Sequence, residues 1–396
     1  MMKKCMFVLL ILSFFLTGCW DRRELNDLGI IIALGIDKVE DEYQVTAQVV
    51  VPSENSVKSS TGRSPVTLIH ANGKTVYEAF RKMTKETPRK IYPGHLQMLV
   101  LGEELSREGI GESLELLARD WELRSDFYVV VAKNKSAEEI LNVSTTIESI
   151  PANKMFNTLK TSERAWGATN GITIDELIAD LTSEGKEAVL TGIQVIGNQE
   201  LGSSRQNVES ITPAARIQYD QLAVFKKDKL VGWLTEQESK GYNDITNSVK
   251  TTVTPISCPN EGKATIEITR LNSEVKGNVS KGKPEVDINI KIEGNVGEVL
   301  CQINLSEPET IDEVEKITEK EVEETVNQTV KTLQQQYETD IFGFGEAVHR
   351  SNPNEWKKLK EHWEEEFSNL TVNVKVDVKL GRTGTVDNSF LEKIKD

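Results

Sequence analysis

A cysteine at position 19 closes the run Leu16-Thr17-Gly18-Cys19, behind a basic start at Lys3 and Lys4 and an apolar stretch from Met6 to Leu16. That order is the order of an export leader and its cleavage site. Small residues at Thr17 and Gly18 let the chain lie extended in a peptidase groove, and the Cys19 thiol is the nucleophile that takes a thioether-linked diacylglycerol. Cleavage also leaves an α-amino group open to a further acyl chain. One acyl chain, at about 0.8 kcal/mol per buried CH₂, holds a protein only marginally, whereas two hold it stably. Cys19 is therefore expected to be an anchor and not a catalyst. A spanning helix needs about 20 apolar residues, and this stretch cannot be extended, because Asp21, Arg22, Arg23 and Glu24 follow Trp20 at once.

The other reactive side chains form no recognisable constellation. Cys5 leaves with the leader, so Cys258 and Cys301 remain. Outside the membrane they are free to pair as a disulfide, and they serve equally well as buried thiols. The histidines are His70, His95, His349 and His362, none of them three or four residues from another His or Cys. Metal-ligand spacing on one helix or loop is thus missing, and each reads as a surface or hydrogen-bonded core residue. No P-loop, G-x-G-x-x-G, H-E-x-x-H, G-x-S-x-G or C-x-x-C occurs. With 62 acidic residues, carboxylate pairs at catalytic separation can always be imagined and carry no weight. No catalytic residue, metal ligand or cofactor-binding residue is singled out.

The net charge is −15, and more negative once Lys3 and Lys4 are removed. Binding nucleic acid takes a basic patch that displaces counterions, so nucleic acid is excluded as a partner.

The elements that carry these residues alternate between sheet and helix. Leu28 to Ile36 reads as a buried strand and Glu42 to Val51 as its antiparallel partner. After a polar loop from Ser53 to Pro65 come a strand at Val66 to His70, a helix from Thr75 to Thr84 and a strand from Leu96 to Leu101. Ile110 to Trp121 reads as a helix with Leu114, Leu117 and Ala118 inward, and Phe127 to Ala132 as a buried strand. Ser136 and Thr173 sit where helix N-caps belong, the latter with Glu176 completing a capping box. Residues 188–196 return as a strand, and Gly197 to Pro213 reads as an exposed loop or domain edge.

Beyond it strands dominate: a hairpin of Ile217 to Phe225 and Lys229 to Leu234, then Val249 to Ile256, Ala264 to Leu271 and Val286 to Ile292 continuing a meander. A long helix follows, opened by Pro308 and Thr310 with Glu313 in capping-box position, and reaching Tyr337. Its apolar stripe is Ile311, Val314, Ile317, Val322, Val326, Val330 and Leu333, with Glu315, Glu319, Glu321 and Glu324 on a solvated side. Asp340-Ile341-Phe342-Gly343-Phe344-Gly345-Glu346 reads as a turn that tucks two aromatics into the core. A helix from Asn354 to Phe367 and a strand from Leu370 to Leu380 finish the chain.

This pattern predicts a multi-domain α+β protein with mixed or antiparallel sheets, packed helices, and a C-terminal domain in which a long helix lies on a β-sheet. The expected division is a leader over 1–18, an N-terminal domain over 19–200 and a C-terminal domain over 214–396.

Gly18-Cys19-Trp20-Asp21-Arg22-Arg23-Glu24-Leu25, followed by a strand from Ile30 to Asp37, resembles the start of the Ger(x)C family, the C subunits of spore nutrient-germinant receptors. Tyr92-Pro93-Gly94-His95 with the following Leu-Gly-Glu-Glu-Leu and Arg119-Asp120 is similar to the family's N-terminal domain. Asp340 to Glu346, a Trp-containing helix and the last strand resemble its C-terminal domain. The likeness runs from residue 18 to about 381. It implies a non-enzymatic lipoprotein on the outer face of the cytoplasmic membrane, in spores the inner spore membrane. Its implied partners are that membrane, through the lipid anchor, and the A and B subunits of the receptor; no small-molecule ligand and no cofactor is implied. Only Cys19 carries over as a site. Two other classes share part of the pattern. A solute-binding lipoprotein of a transporter would need two similar lobes around a cleft, and a cell-wall hydrolase would need a nucleophile or acid pair that the sequence does not single out.

Overall fold

The computed structural model describes residues 27–52, 54, 63–259 and 261–382, so Cys19, its leader and most of the 53–65 loop lie outside the described residues. Strands β1 (Leu28–Val39), β2 (Glu42–Val50), β3 (Val66–Gly73), β4 (Lys90–Tyr92), β5 (Met98–Leu101), β6 (Tyr128–Ala132), β7 (Ile172–Thr173), β8 (Val189–Gly197), β9 (Ala215–Lys226) and β10 (Lys229–Trp233) form one sheet. Its order is β10-β9-β8-β6-β5-β1-β2-β3, with β4 on β1 and β7 on β6. The central strands β1, β5, β6 and β8 are parallel. Parallel strands must be covered on both faces, which is why they read as unbroken apolar runs. Leu99, Leu101, Val129 and Val131 face a core with helices Val76–Lys82, Gly111–Arg119 and Ile174–Leu181. Met98, Val100, Val130 and Ala132 face the opposite core with helices Ala137–Leu141 and Pro151–Ala165.

A second sheet takes β11 (Thr252–Ser257), β12 (Lys263–Ser280), β13 (Lys283–Val299) and β14 (Thr371–Arg382), in the order β11-β12-β13-β14. β14 runs parallel to β13, a geometry made by the helical crossover that begins with helix Pro308–Thr332. Val322, Val326 and Val330 of that helix pack with Val286, Ile288, Ile290 and Ile292 of the sheet. Val189, Leu222 and Val224 of the first sheet share that same core, so apolar burial joins the two halves. The α+β class with mixed sheets and a long helix on a sheet stands.

Several details depart from the sequence reading. The hairpin β9–β10 pairs with β8 in the first sheet, not with the meander that follows, so sheet membership changes between 233 and 252 and not at 214. Two short helical turns, Gln199–Gly202 and Gln206–Glu209, fill the segment read as loop. Ala118 is exposed, and Ser113 is buried beside Leu114 and Leu117 instead. The long helix starts after Glu307 with Pro308 in its first turn and has no side-chain cap, so the box with Glu313 does not form. Glu315 is buried: its Oε1 accepts from Leu380 N at 2.8 Å, and Glu319 Oε1 accepts from Val378 N at 3.1 Å. These carboxylates satisfy the outer edge of β14. The terminal helix is broken into Pro353–Leu359, a 3₁₀ turn at Lys360–His362 and Trp363–Ser368. Helices Pro151–Ala165 and Glu236–Ile245 were not read from the sequence at all.

Candidate functional site

The longest helix continues as a π-helical turn over Leu333–Tyr337 and stops at Glu338, whose φ of 49° is left-handed. Two residues on, Asp340 is buried and folds its carboxylate over the turn that follows. Oδ1 accepts from Phe342 N at 3.1 Å, Gly343 N at 3.0 Å and Phe344 N at 3.2 Å. Oδ2 accepts from Gly345 N at 2.8 Å and Trp363 Nε1 at 3.0 Å. Gly343 makes the turn, since its φ of 77° disfavours residues with a Cβ. Helix Phe344–Ser351 starts there, and Asp340 satisfies the donors that every helix start leaves unmet. Burial pushes the Asp340 carboxyl up to about 6, while the backbone donors and the Trp363 indole pull the other way. Phe342 and Phe344 stack at 4.9 Å between centroids and reach Phe367 and Tyr242, so this turn tucks its aromatics inward.

The same turn docks on the first half of the chain. Glu187 N donates to Asp340 O at 2.8 Å, Glu346 N to Gly185 O at 3.3 Å, and Ser183 Oγ to Glu346 Oε1 at 2.9 Å. Backbones meet here without side chains: a Cβ on Gly345 would lie 2.8 Å from Gly185 Cα, and one on Gly185 would lie 2.7 Å from Glu346 N. Beside this contact is a polar cavity of ≈ 380 Å³. Its three lysines are each paired with a carboxylate, Lys186 with Asp180 at 2.8 Å, Lys226 with Glu364 at 2.8 Å and Lys360 with Glu184 at 2.9 Å, and further acidic residues, Glu187, Glu338, Glu361 and Glu365, also line it. Such an arrangement can hold two halves of a protein in register. A larger groove of ≈ 870 Å³ runs between helices Val76–Lys82 and Gly111–Arg119, lined by Tyr77, Phe80, Arg81, Leu116, Arg119 and Trp121 among others.

Of the residues singled out in the sequence, Cys19 lies outside the described residues. Cys258 and Cys301 are joined, with Cα atoms 6.5 Å apart, in a small core with Ile256, Ala264, Ile266 and Val314. The histidines are scattered: His70 Nδ1 lies 3.6 Å from Glu138, His95 packs edge-on to Tyr92, His349 stacks on Trp356, and His362 borders the cavity. Among the described residues no three His, Cys, Asp or Glu side chains converge as metal ligands. No described helix is long and apolar enough to cross a membrane. The role of Asp340 was missed, although an aspartate just before a Gly-Phe-Gly helix start is a readable signal for it.

Residues 21–195 match the family described as "Spore germination protein N-terminal domain" and residues 220–384 the one described as "Spore germination B3/ GerAC like, C-terminal". Spore germination protein KC of Bacillus subtilis (strain 168) is 32% identical over 407 residues, covering 100% of both chains. Spore germination protein A3 of the same organism is 28% identical over 96% of this chain and 97% of that one, and spore germination protein B3 is 26% identical over 94% and 95%. The crystal structure of the GerBC protein superposes with a TM-score of 0.53 at 21% identity, covering 88% of this chain and 96% of that one, which establishes a shared fold. This chain belongs to the GerAC-like, or Ger(x)C, family of spore germination proteins.

Proposed function

We infer that the chain is a non-catalytic, lipid-anchored subunit of a spore nutrient-germinant receptor, held through Cys19 on the outer face of the inner spore membrane and assembled there with the receptor's A and B subunits. The observation that carries this reading is end-to-end similarity to spore germination proteins in a chain whose start has the layout of a lipoprotein leader. Confinement to a surface raises effective concentration, so modest contacts suffice to hold a complex. A solute-binding lipoprotein is disfavoured because its two lobes would be alike, whereas here a ten-stranded sheet is joined to a four-stranded one.

The test is germination of spores that lack the gene, on a panel of single nutrients, beside a trigger that bypasses nutrients. Loss of response to particular nutrients with the bypass intact is expected; an unchanged panel in spores also lacking its paralogues would overturn the reading. Spores carrying Cys19→Ala are expected to lose membrane association and respond weakly to the same nutrients, and normal behaviour would refute the anchor.

A further inference from the structure

Because β1, β5, β6 and β8 are parallel, their first residues lie at one end of the first sheet. The chain enters at that end, at Leu28, which pairs with Lys90 of β4. The turn before β4 therefore lies there as well, as does the turn before β6. Lys90 Nζ ties the two turns together through Glu122 Oε1 at 2.5 Å. Beside Glu122, Trp121 is 87% exposed, an unusual position for the largest apolar side chain.

Charge in the turn before β4 runs against the rest of the chain, whereas Asp27 stands at the entry to β1 and the turn before β8, where the C-terminal half docks, carries Glu184 and Glu187 beside Lys186. Arg81 to Lys90 contains five basic residues and one acidic one, Glu86, in a protein of net charge −15. Lys82 pairs with Glu78, Lys90 pairs with Glu122, and Arg81 lies on the ring and hydroxyl of Tyr77. Lys85 is exposed and Arg89 half-exposed, and neither pairs with a carboxylate among the described residues. The neighbouring turn adds Asp120, and Asp126 paired with Arg124. The other highly exposed apolar residues, Ile147 and Ile211, belong to segments linked to one another around Gly202 and Asn207. The Ile211 segment follows the finish of β8 at Gly197, at the opposite end of the sheet, and these hydrogen bonds hold the Ile147 segment to it.

We propose that the strand-start end of the first sheet rests on the bilayer surface at its β4–β6 side, with the Trp121 indole at headgroup level and Lys85 and Arg89 on anionic headgroup phosphates. The proposal rests on the Cys19 anchor. Leu28 follows Cys19 by nine positions, a span of at most about 30 Å when fully extended, so an acylated Cys19 keeps the entry to β1 within that distance of the lipid. An indole is amphipathic and settles where apolar and wet layers meet, and lysine and arginine near a surface are drawn to anionic lipid. Acylation and this surface together fix an orientation that a lipid tether alone leaves free.

The experiment couples the leaderless chain, carrying Trp20→Phe, through the Cys19 thiol to vesicles doped with a maleimide lipid. Quenching of tryptophan fluorescence by phospholipids brominated near the headgroup is then read. With phosphatidylglycerol present, clear quenching is expected, falling at least twofold in Trp121→Phe, in Lys85→Glu/Arg89→Glu, and in vesicles of phosphatidylcholine alone. No quenching, or equal quenching in Trp121→Phe, overturns the proposal, and absent quenching together with defective germination of Trp121→Ala spores would assign the surface to a protein partner. Coupling supplies the tether chemically, so this failure is distinct from failure of the anchor, which the Cys19→Ala spores test.

Discussion

Asp340 carries a carboxylate into the interior and forms no ion pair among the described residues, and five N–H donors take the place of a counter-ion. Removing the acceptor leaves those donors buried and unmet, which costs more than the net worth of the bonds themselves. Asp340→Ala is expected to lower unfolding free energy by about 3 kcal/mol or more, read as a drop in the urea midpoint. Asp244 is the reverse case. It is buried, and burial pushes its carboxyl up to about 7, with Lys240 opposing. Folding thus favours its neutral form. Between about 4 and about 7 the folded chain holds a proton that the unfolded chain has released, so this group's contribution to stability falls as pH rises through that window. Asp244→Asn is expected to flatten that slope and to be more stable than the parent at pH 8, by on the order of 2–4 kcal/mol; equal stability at pH 8 would contradict it. Little of this was legible in the sequence. The stretch Asp340 to Glu346 stood out as a turn, but one of its donors, Trp363, lies 23 residues further on, and no local pattern reports such a partner.

Elements were more legible than their contacts. The N-cap at Ser136 and the capping box of Thr173 with Glu176 form as read, and Glu139 completes a box at Ser136 as well, because the partners lie within four residues of each other. Thr235 and Glu238 make a third box, a signal that was present and passed over. The helix it opens buries Ser239, Asn243 and Asp244 beside Tyr242 and Ile245, so it lacks the apolar stripe that usually announces a helix. Helix Pro151–Ala165 buries only Pro151, Ala152, Met155 and Leu159 of its fifteen residues, again a thin stripe. Glu315 and Glu319 looked like solvated charges because composition cannot show that an edge strand lies beneath them. The Cys258–Cys301 link joins the end of β11 to the segment after β13, with a sequence separation of 43. Closing a loop of that size restricts the unfolded chain by about 4 kcal/mol in the entropic account. Cys258→Ala/Cys301→Ala is expected to lose about 2–4 kcal/mol, and reductant is expected to bring the parent to the same denaturation midpoint as the double variant.

At the scale of the molecule, two α+β halves were visible in the order of strands and helices, but their join was not. A hairpin with alternating apolar residues looks the same whichever sheet it enters, so β9–β10 could be placed only by its pairing with β8. The shared core of Val189, Leu222 and Val224 with Val286, Ile288 and Val326 means that opening either half exposes apolar surface of the other. Calorimetry on the intact chain is therefore expected to show one cooperative transition; two resolved peaks would mean that the halves unfold independently. The docking of Asp340 and Glu346 on Gly185 and Glu187 also sets an order in time. A ribosome adds about 5–20 residues per second, so the backbone groups of residues 185–187 are made roughly 8–30 s before the residues that complete them. Through that interval the N-terminal half has an unfinished flank, and a nascent chain halted short of residue 340 is left as a substrate for chaperones and proteases.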